Sequence, residues 1–235
     1  MISFLKRSTQ SEKMDEPDFS KEDLESSFRM IRKVNRYLGG TQTILSHLKR
    51  FSKTWDSKKS ITILDIGTGC ADIPIQILKW AKSNFFQIQI YALDSNWKTL
   101  QYARQFSHLY PEIQLIEADA LNLPFQPKSI DYVISSMFFH HLSDKQIIEL
   151  LNKIDQIARK GVIMNDLARH RRAYFWISLM TAFVSKSHLR SDAQISILRG
   201  FKRNELWNYI QQANVPYLNV YRHFGHRIVL AGKKQ

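Results

Sequence analysis

The feature that most constrains this chain is a short apolar run that ends in a glycine-bearing loop. Residues 61–66 (ITILDI) read as a strand, and Asp65-Ile66-Gly67-Thr68-Gly69-Cys70-Ala71 carries the chain out of it. A nearly unbroken apolar run is what a strand buried on both faces requires. Glycine at 67 and 69 lets the backbone turn sharply and lets N–H groups approach a ligand closely. A helical pattern follows over 72–82, with Ile73, Ile77, Trp80 and Ala81 on its inner stripe and Pro74 in its first turn, where the missing N–H costs nothing. Strand and helix patterns then alternate: strands at 88–93, 113–117, 130–135 and 161–165, helices at 96–107 and 144–159. This repetition implies an α/β fold with a parallel sheet covered by helices on both faces. Beyond it come an apolar helix at 172–185, an amphipathic helix at 203–214, and strand-like runs at 217–222 and 227–231. His223-Phe224-Gly225-His226 joins those runs, which suit an antiparallel hairpin at the sheet edge. Five parallel strands plus that hairpin make a seven-stranded sheet.

The 235 residues suit one α/β domain with some flanking sequence. Residues 1–20 are expected as a flexible leader, polar from Ser8 to Ser20 and carrying Pro17. Two amphipathic helices, at 21–38 and 41–51 with Gly39-Gly40 between them, are expected to form an N-terminal helical cap over 21–56. The main domain then occupies 57–235, with a helical lid insert at about 170–200. No apolar stretch reaches the roughly 18–20 residues of a membrane span, and Ile2, Phe4 and Leu5 are too few for a signal sequence. Cys70 is the one cysteine, so an internal disulfide and a cysteine-based metal cluster are both ruled out. A cytoplasmic location is the expectation. The formal net charge is +13, although residues 1–27 hold seven acidic and four basic side chains. A basic surface favours nucleic acid, anionic lipid or an acidic substrate without choosing among them.

Open parallel sheets bind ligands beyond the C-terminal ends of their strands. The third position of a dinucleotide fingerprint, three residues after Gly69, is Asp72. A carboxylate there opposes a pyrophosphate at the helix N-terminus and permits a ligand without phosphates. Asp94 ends the second strand, where an ionised carboxylate can accept from both hydroxyls of a ribose. Its alternative role is a helix N-cap, which Ser95 or Asn96 would serve equally well. Asp119 follows the third strand as an acceptor for an adenine exocyclic N–H, with Ala120 leaving room for the ring. Ser135-Ser136 ends the fourth strand.

LDIGTGCADIP, YALDSN, ADALNLPF and IDYVISSMFFHHL occur in that order over about residues 61–142. Together they resemble class I S-adenosylmethionine (SAM)-dependent methyltransferases of the ubiquinone/menaquinone-biosynthesis (UbiE-like) group. The resemblance implies a Rossmann-like fold, SAM as cofactor and S-adenosylhomocysteine (SAH) as product. It places Asp65, Gly67 and Gly69 at the methionine end, with Thr68 and Ala71 in the same loop. It places Asp94 with Ser95 at the ribose, Asp119 and Ala120 at the adenine, and Ser135 and Ser136 near the transferring methyl. SAM carries no phosphate, and its sulfonium and ammonium are cations that acids such as Asp65 favour.

Methyl transfer needs the acceptor held in line and its proton removed. His140 and His141 are candidate bases because imidazole titrates near neutrality; packing and helix-start roles are their alternatives. Asp166 would orient a histidine or accept a proton. Arg169 and His170 would hold an acidic or phenolate substrate, with Tyr174 beside them. The apolar helix, carrying Tyr174, Phe175, Trp176, Ile177, Leu179, Met180 and Phe183, suits a substrate lid, a dimer interface, a peripheral membrane contact or plain core packing. No metal-ligand cluster stands out, so metal independence is expected. The leading expectation is methylation of a small, rather apolar acceptor: a phenol, quinol or polyketide-like ring. An RNA methyltransferase is the alternative that the charge supports. Against it, Ser135-Ser136-Met137-Phe138 stands where an Asn/Asp-Pro-Pro-aromatic run would serve base nitrogens. A non-catalytic SAM-fold binding protein is the third reading.

Overall fold

The structure, a computed structural model, describes residues 3–16, 18–182, 184 and 186–234. Strands β1 (Ile61–Ile66), β2 (Ile88–Asp94), β3 (Ile113–Glu117), β4 (Ile130–Ser136), β5 (Ala158–Leu167), β6 (Asn219–His223) and β7 (Arg227–Lys233) form one sheet in the order β3-β2-β1-β4-β5-β7-β6. The first five are parallel, and β7 runs antiparallel between β5 and β6. The order reverses between β1 and β4, so a crevice opens where their C-terminal ends part. Register brings Asp65 level with Ala92 on β2 and Ile134 on β4, which sets the chemistry-bearing ends side by side.

Eight helices are described: α1 (Lys21–Tyr37), α2 (Gly40–Phe51), α3 (Asp72–Ser83), α4 (Trp97–Ser107), α5 (Asp144–Ile157), α6 (Arg171–Thr181), α7 (Ser187–Arg199) and α8 (Arg203–Gln212). Alternate strand residues face opposite sides. Leu64, Ile66 and Val133 pack with Ile147, Leu151 and Ile154 of α5 and Leu206 of α8. Ile61, Ile63 and Ile134 pack with Ile44 and Leu48 of α2 and Ile73, Ile77 and Ala81 of α3. Each fully buried aliphatic side chain contributes about 1.5–3 kcal/mol relative to exposure. The α1–α2 boundary falls at Gly39, whose φ of +82° is the left-handed conformation that ends helices.

Three elements differ from expectation. β5 is longer than 161–165, because β4 and β7 pair with it on both sides. α6 ends at Thr181, and the rest of the helical insert expected over about 170–200 is a separate helix, α7, whose polar and apolar residues follow no clear period. Ile2, Pro17, Phe183 and Ser185 lie outside the described residues. Residues 3–16, expected as a flexible leader, instead lie packed on the domain. Ser8 N donates to Leu198 O at 3.0 Å, and the N–H groups of Lys13 and Met14 donate to Asp192 at 2.8 and 3.1 Å. Arg7 donates to the carbonyls of His140, Leu142 and Arg199 and to Asp144. These partners are remote in sequence, so composition alone suggested a free segment.

Candidate active site

A cavity of about 1,680 Å³ opens at the C-terminal ends of β1, β2 and β4. Small-ligand pockets commonly measure about 300–1,000 Å³, so this one has room for a cofactor and a second molecule.

Its floor is the glycine loop. The N–H groups of Gly67 and Thr68 both donate to Leu93 O at 2.9 Å, which ties the loop to the end of β2. Gly67 has φ +70°, and a Cβ there would stand 2.5 Å from the Phe138 ring, so only glycine fits. Gly69 lies beneath Phe28 of α1, 3.2 Å from where its Cβ would be. Asp94 accepts from Gly69 N and from Asn96 N, each at 3.0 Å. Asn96 caps α4 by accepting from Thr99 N, so Asp94 is not the cap. Ser95 lies exposed on the same wall.

Three carboxylates converge here. Burial raises the carboxyls of Asp65, Asp72 and Asp94 above the ordinary range. For Asp65 burial outweighs a hydrogen bond with Thr68, Asp72 and Asp94 add repulsion, and the group is pushed up to about 7. Asn35 of α1 donates to Asp72 at 3.2 Å and helps seat α1 on the loop. Such a cluster suits a cationic ligand and opposes a polyphosphate. Further along the wall, Asp119 is exposed and accepts from Leu121 N at 2.8 Å, with Ala120 buried beside it. Ser136 also lines the cavity and accepts from Asn165 Nδ2 at 2.8 Å.

Four expected site residues lie off the cavity wall. Ala71 is buried with φ 56° and serves the turn into α3. Ser135 is buried, and its hydroxyl donates to Ile66 O at 2.9 Å within the sheet. Tyr174 packs edge-on against Phe4, 5.7 Å between centroids. Asp166 is fully buried and reaches the cavity only through His140. Its carboxylate meets His140 Nδ1 at 2.7 Å and accepts from His140 N at 3.1 Å.

His140 is also held by Glu12 from the leader, with Nε2 3.2 Å from Glu12 Oε1. Burial by itself would lower the imidazole, but Asp166 and Glu12 outweigh it and raise it to about 10. The expectation of a general base at His140 thus falls on an imidazole held between two carboxylates. His141 is half-buried on the cavity wall, and its Nδ1 meets Asp15 at 2.8 Å. Arg169, expected to hold substrate, lines the cavity. Its guanidinium donates to the carbonyls of Phe4, Leu5 and Gly200 and to Glu205. His170 is exposed at the cavity edge, caps α6 by accepting from Arg172 N at 3.1 Å, and stacks on His226.

Sequence reasoning missed Arg227. It is 1% exposed, lines the cavity from β7, donates to Leu38 O at 3.3 Å, and leaves one terminal nitrogen without a partner. Burial depresses it to about 10, with Asp166 and Asp72 opposing the fall. A lone arginine opening an apolar strand was the available signal. Glu12 carried none, because its contacts lie on the far side of the domain in sequence.

The fold and this site define an α/β protein whose cavity gathers three carboxylates at the C-terminal ends of its strands. Residues 63–161 match the methyltransferase domain family. The chain is 26% identical over 134 residues to an uncharacterized methyltransferase of Geobacillus sp., covering 56% of this chain and 59% of that one. It is 26% identical over 151 residues to a demethylmenaquinone methyltransferase of Staphylococcus epidermidis, covering 63% and 61%. The matched region thus spans about 60% of these relatives' lengths. Among solved structures, the plantazolicin methyltransferase BpumL in complex with SAH superposes with TM-score 0.68 at 16% identity, covering 93% of this chain and 92% of that one. A SAM-dependent methyltransferase from Aquifex aeolicus gives 0.62 at 15%, covering 92% and 99%. At such identity the structural likeness concerns the fold.

Proposed function

We propose that this protein transfers the SAM methyl group to a small, largely apolar acceptor such as a phenol, quinol or polyketide-like ring. The observation that carries this reading is the continuity of the cavity. It runs from the Asp65, Asp72 and Asp94 carboxylates to a region walled by Met137, Phe138, Trp176, Ile177, Met180 and Trp207. SAM supplies an activated methyl group when bound. Asp94 would accept from the ribose hydroxyls, Asp119 from the adenine amine, and Asp65 would face the cationic end. The Trp and Met side chains would hold an aromatic ring by contact and exclude water from the reacting centre. Demethylmenaquinone methyltransferases among the relatives act on a quinol-type ring by their name, which supports this class.

Labelled SAM offered with a panel of phenols and quinols, and in parallel with total RNA, tests the reading. Label is expected in the small-molecule fraction. Label in RNA, with none in the panel, would sink the reading and favour the basic surface as an RNA contact. Binding of SAM with transfer to neither would favour a binding protein.

A further inference from the structure

We propose that Glu12, His140 and His141 form a site for one divalent transition-metal ion on the cavity wall, with Zn²⁺ the ion that their donors fit best. The three residues each offer one ligand atom, and these atoms lie within 4.8 Å of one another. Around Zn²⁺, donors at about 2.0–2.2 Å stand roughly 3.4 Å apart in a tetrahedron, so closure needs side-chain shifts of about an ångström. Two imidazoles and one carboxylate are the donor set of open, three-ligand zinc sites. Mg²⁺ and Ca²⁺ prefer oxygen donors throughout.

Two further observations separate this cluster from an ordinary ion pair. His140 Nε2 is buried and off the line of any hydrogen bond, although Glu12 Oε1 stands 3.2 Å away. It is a buried ring nitrogen beside the Glu12 carboxylate, close enough for an ion pair but outside hydrogen-bond geometry. Each proposed ligand also has an outer partner. Asp166 meets His140 Nδ1 at 2.7 Å, and Asp15 meets His141 Nδ1 at 2.8 Å. Ser196 Oγ donates to Glu12 Oε1 at 2.7 Å. A carboxylate on Nδ1 of each imidazole leaves Nε2 as the metal-facing nitrogen and fixes the ring, which is how metal-binding histidines are held. Arg7 and Arg199 fix the backbone here, donating to the carbonyls of residues 140–142.

All three ligands line the cavity, so the position left open faces it. An ion there would take a water or an anionic oxygen of a bound acceptor, and lower the pKa of a coordinated hydroxyl. That role rests on the methyl-transfer reading; the site itself does not. The sequence reading expected metal independence; Glu12 is remote from the histidine pair along the chain, so spacing carries no sign of the cluster.

The full chain, stripped by chelator and dialysed, is titrated with Zn²⁺ in a calorimeter, and with Co²⁺ followed by its visible absorption. SAM binding is measured on the same samples. One Zn²⁺ per chain is expected, with no competition from Mg²⁺. His141→Ala, at a half-exposed position, and Glu12→Gln are expected to weaken it at least about tenfold. Asp15→Asn should weaken it about ten- to a hundredfold through the ring it orients. A stripped protein that keeps its melting temperature and takes up no Zn²⁺ overturns the proposal. So does Zn²⁺ binding that both ligand substitutions leave unchanged. Zn²⁺ binding without SAM binding would leave this site standing and remove the function proposed above.

Discussion

Asp94 and Asp65 share one pocket and have different tasks. Asp94 holds Gly69 and Asn96 through backbone N–H groups, yet each oxygen keeps acceptor capacity toward the cavity. Hydrogen bonds to a charged group contribute about 1.5–3 kcal/mol, so Asp94→Ala should raise the SAM dissociation constant roughly ten- to a hundredfold. Calorimetry showing an unchanged constant would refute the ribose assignment. Asp65 supplies a pH signature. Its carboxyl is raised to about 7 in the folded protein, mainly by burial. The folded state therefore holds the proton more tightly than the unfolded one. The Asp65 contribution to stability without ligand should be fully present below the ordinary carboxylate range and be lost as pH rises through about 7. A cationic ligand prefers the ionised form, so SAM affinity should climb as pH rises through about 7. Asp65→Asn should flatten that dependence; a profile equally steep in the variant would contradict it.

At the scale of elements, the leader is a strap. Arg7 satisfies three carbonyls and Asp144 from a largely buried position. Leaving such acceptors unpaired costs about 1–3 kcal/mol. Arg7→Ala should lower the melting temperature accordingly while SAM affinity stays near that of the unaltered chain, because Arg7 lies off the cavity wall. Thermal melts and a binding isotherm on one preparation would check both halves. α6 offers the complementary case. Trp176 and Met180 are about half exposed at the cavity edge, so they stabilise the fold little. Trp176→Ala should therefore raise the KM for the acceptor and leave the melting temperature almost unchanged. A large loss of stability would instead place Trp176 in the core.

The whole molecule couples α1, the glycine loop and the leader around one cavity. A ligand filling it stabilises the folded state by mass action, about 2.7 kcal/mol at a hundredfold excess over its dissociation constant. For a domain of this size that corresponds to a rise of about 5–10 °C in melting temperature. SAH should produce that rise, and NAD should not, because Asp72 and its neighbours oppose a pyrophosphate. Equal shifts from both would remove the charge argument. Among the described residues no helix is long and apolar enough to cross a membrane.

The sequence by itself determined the sheet, its strand ends and the glycine loop after β1. Those signals are local: apolar runs, glycines in the loop after β1, and acids at the ends of β1, β2 and β3. It also placed Asp65, Gly67, Asp94 and Asp119 on the cavity wall. Ser135 and Ala71 escaped it because pleat and turn direction, rather than position in a motif, decide which neighbour faces the ligand. Tertiary structure alone decided the fate of the histidines. His140 is flanked by Asp166 from β5 and Glu12 from the leader, and His141 by Asp15. Whether an imidazole acts as a base, an ion pair or a ligand depends on groups brought together from distant parts of the chain. Arg227 follows the same rule, since its environment is built by α1, β4 and β7 at once. Local sequence specifies backbone and periodicity; electrostatics at a site is summed over neighbours in space, and those only the folded chain assembles.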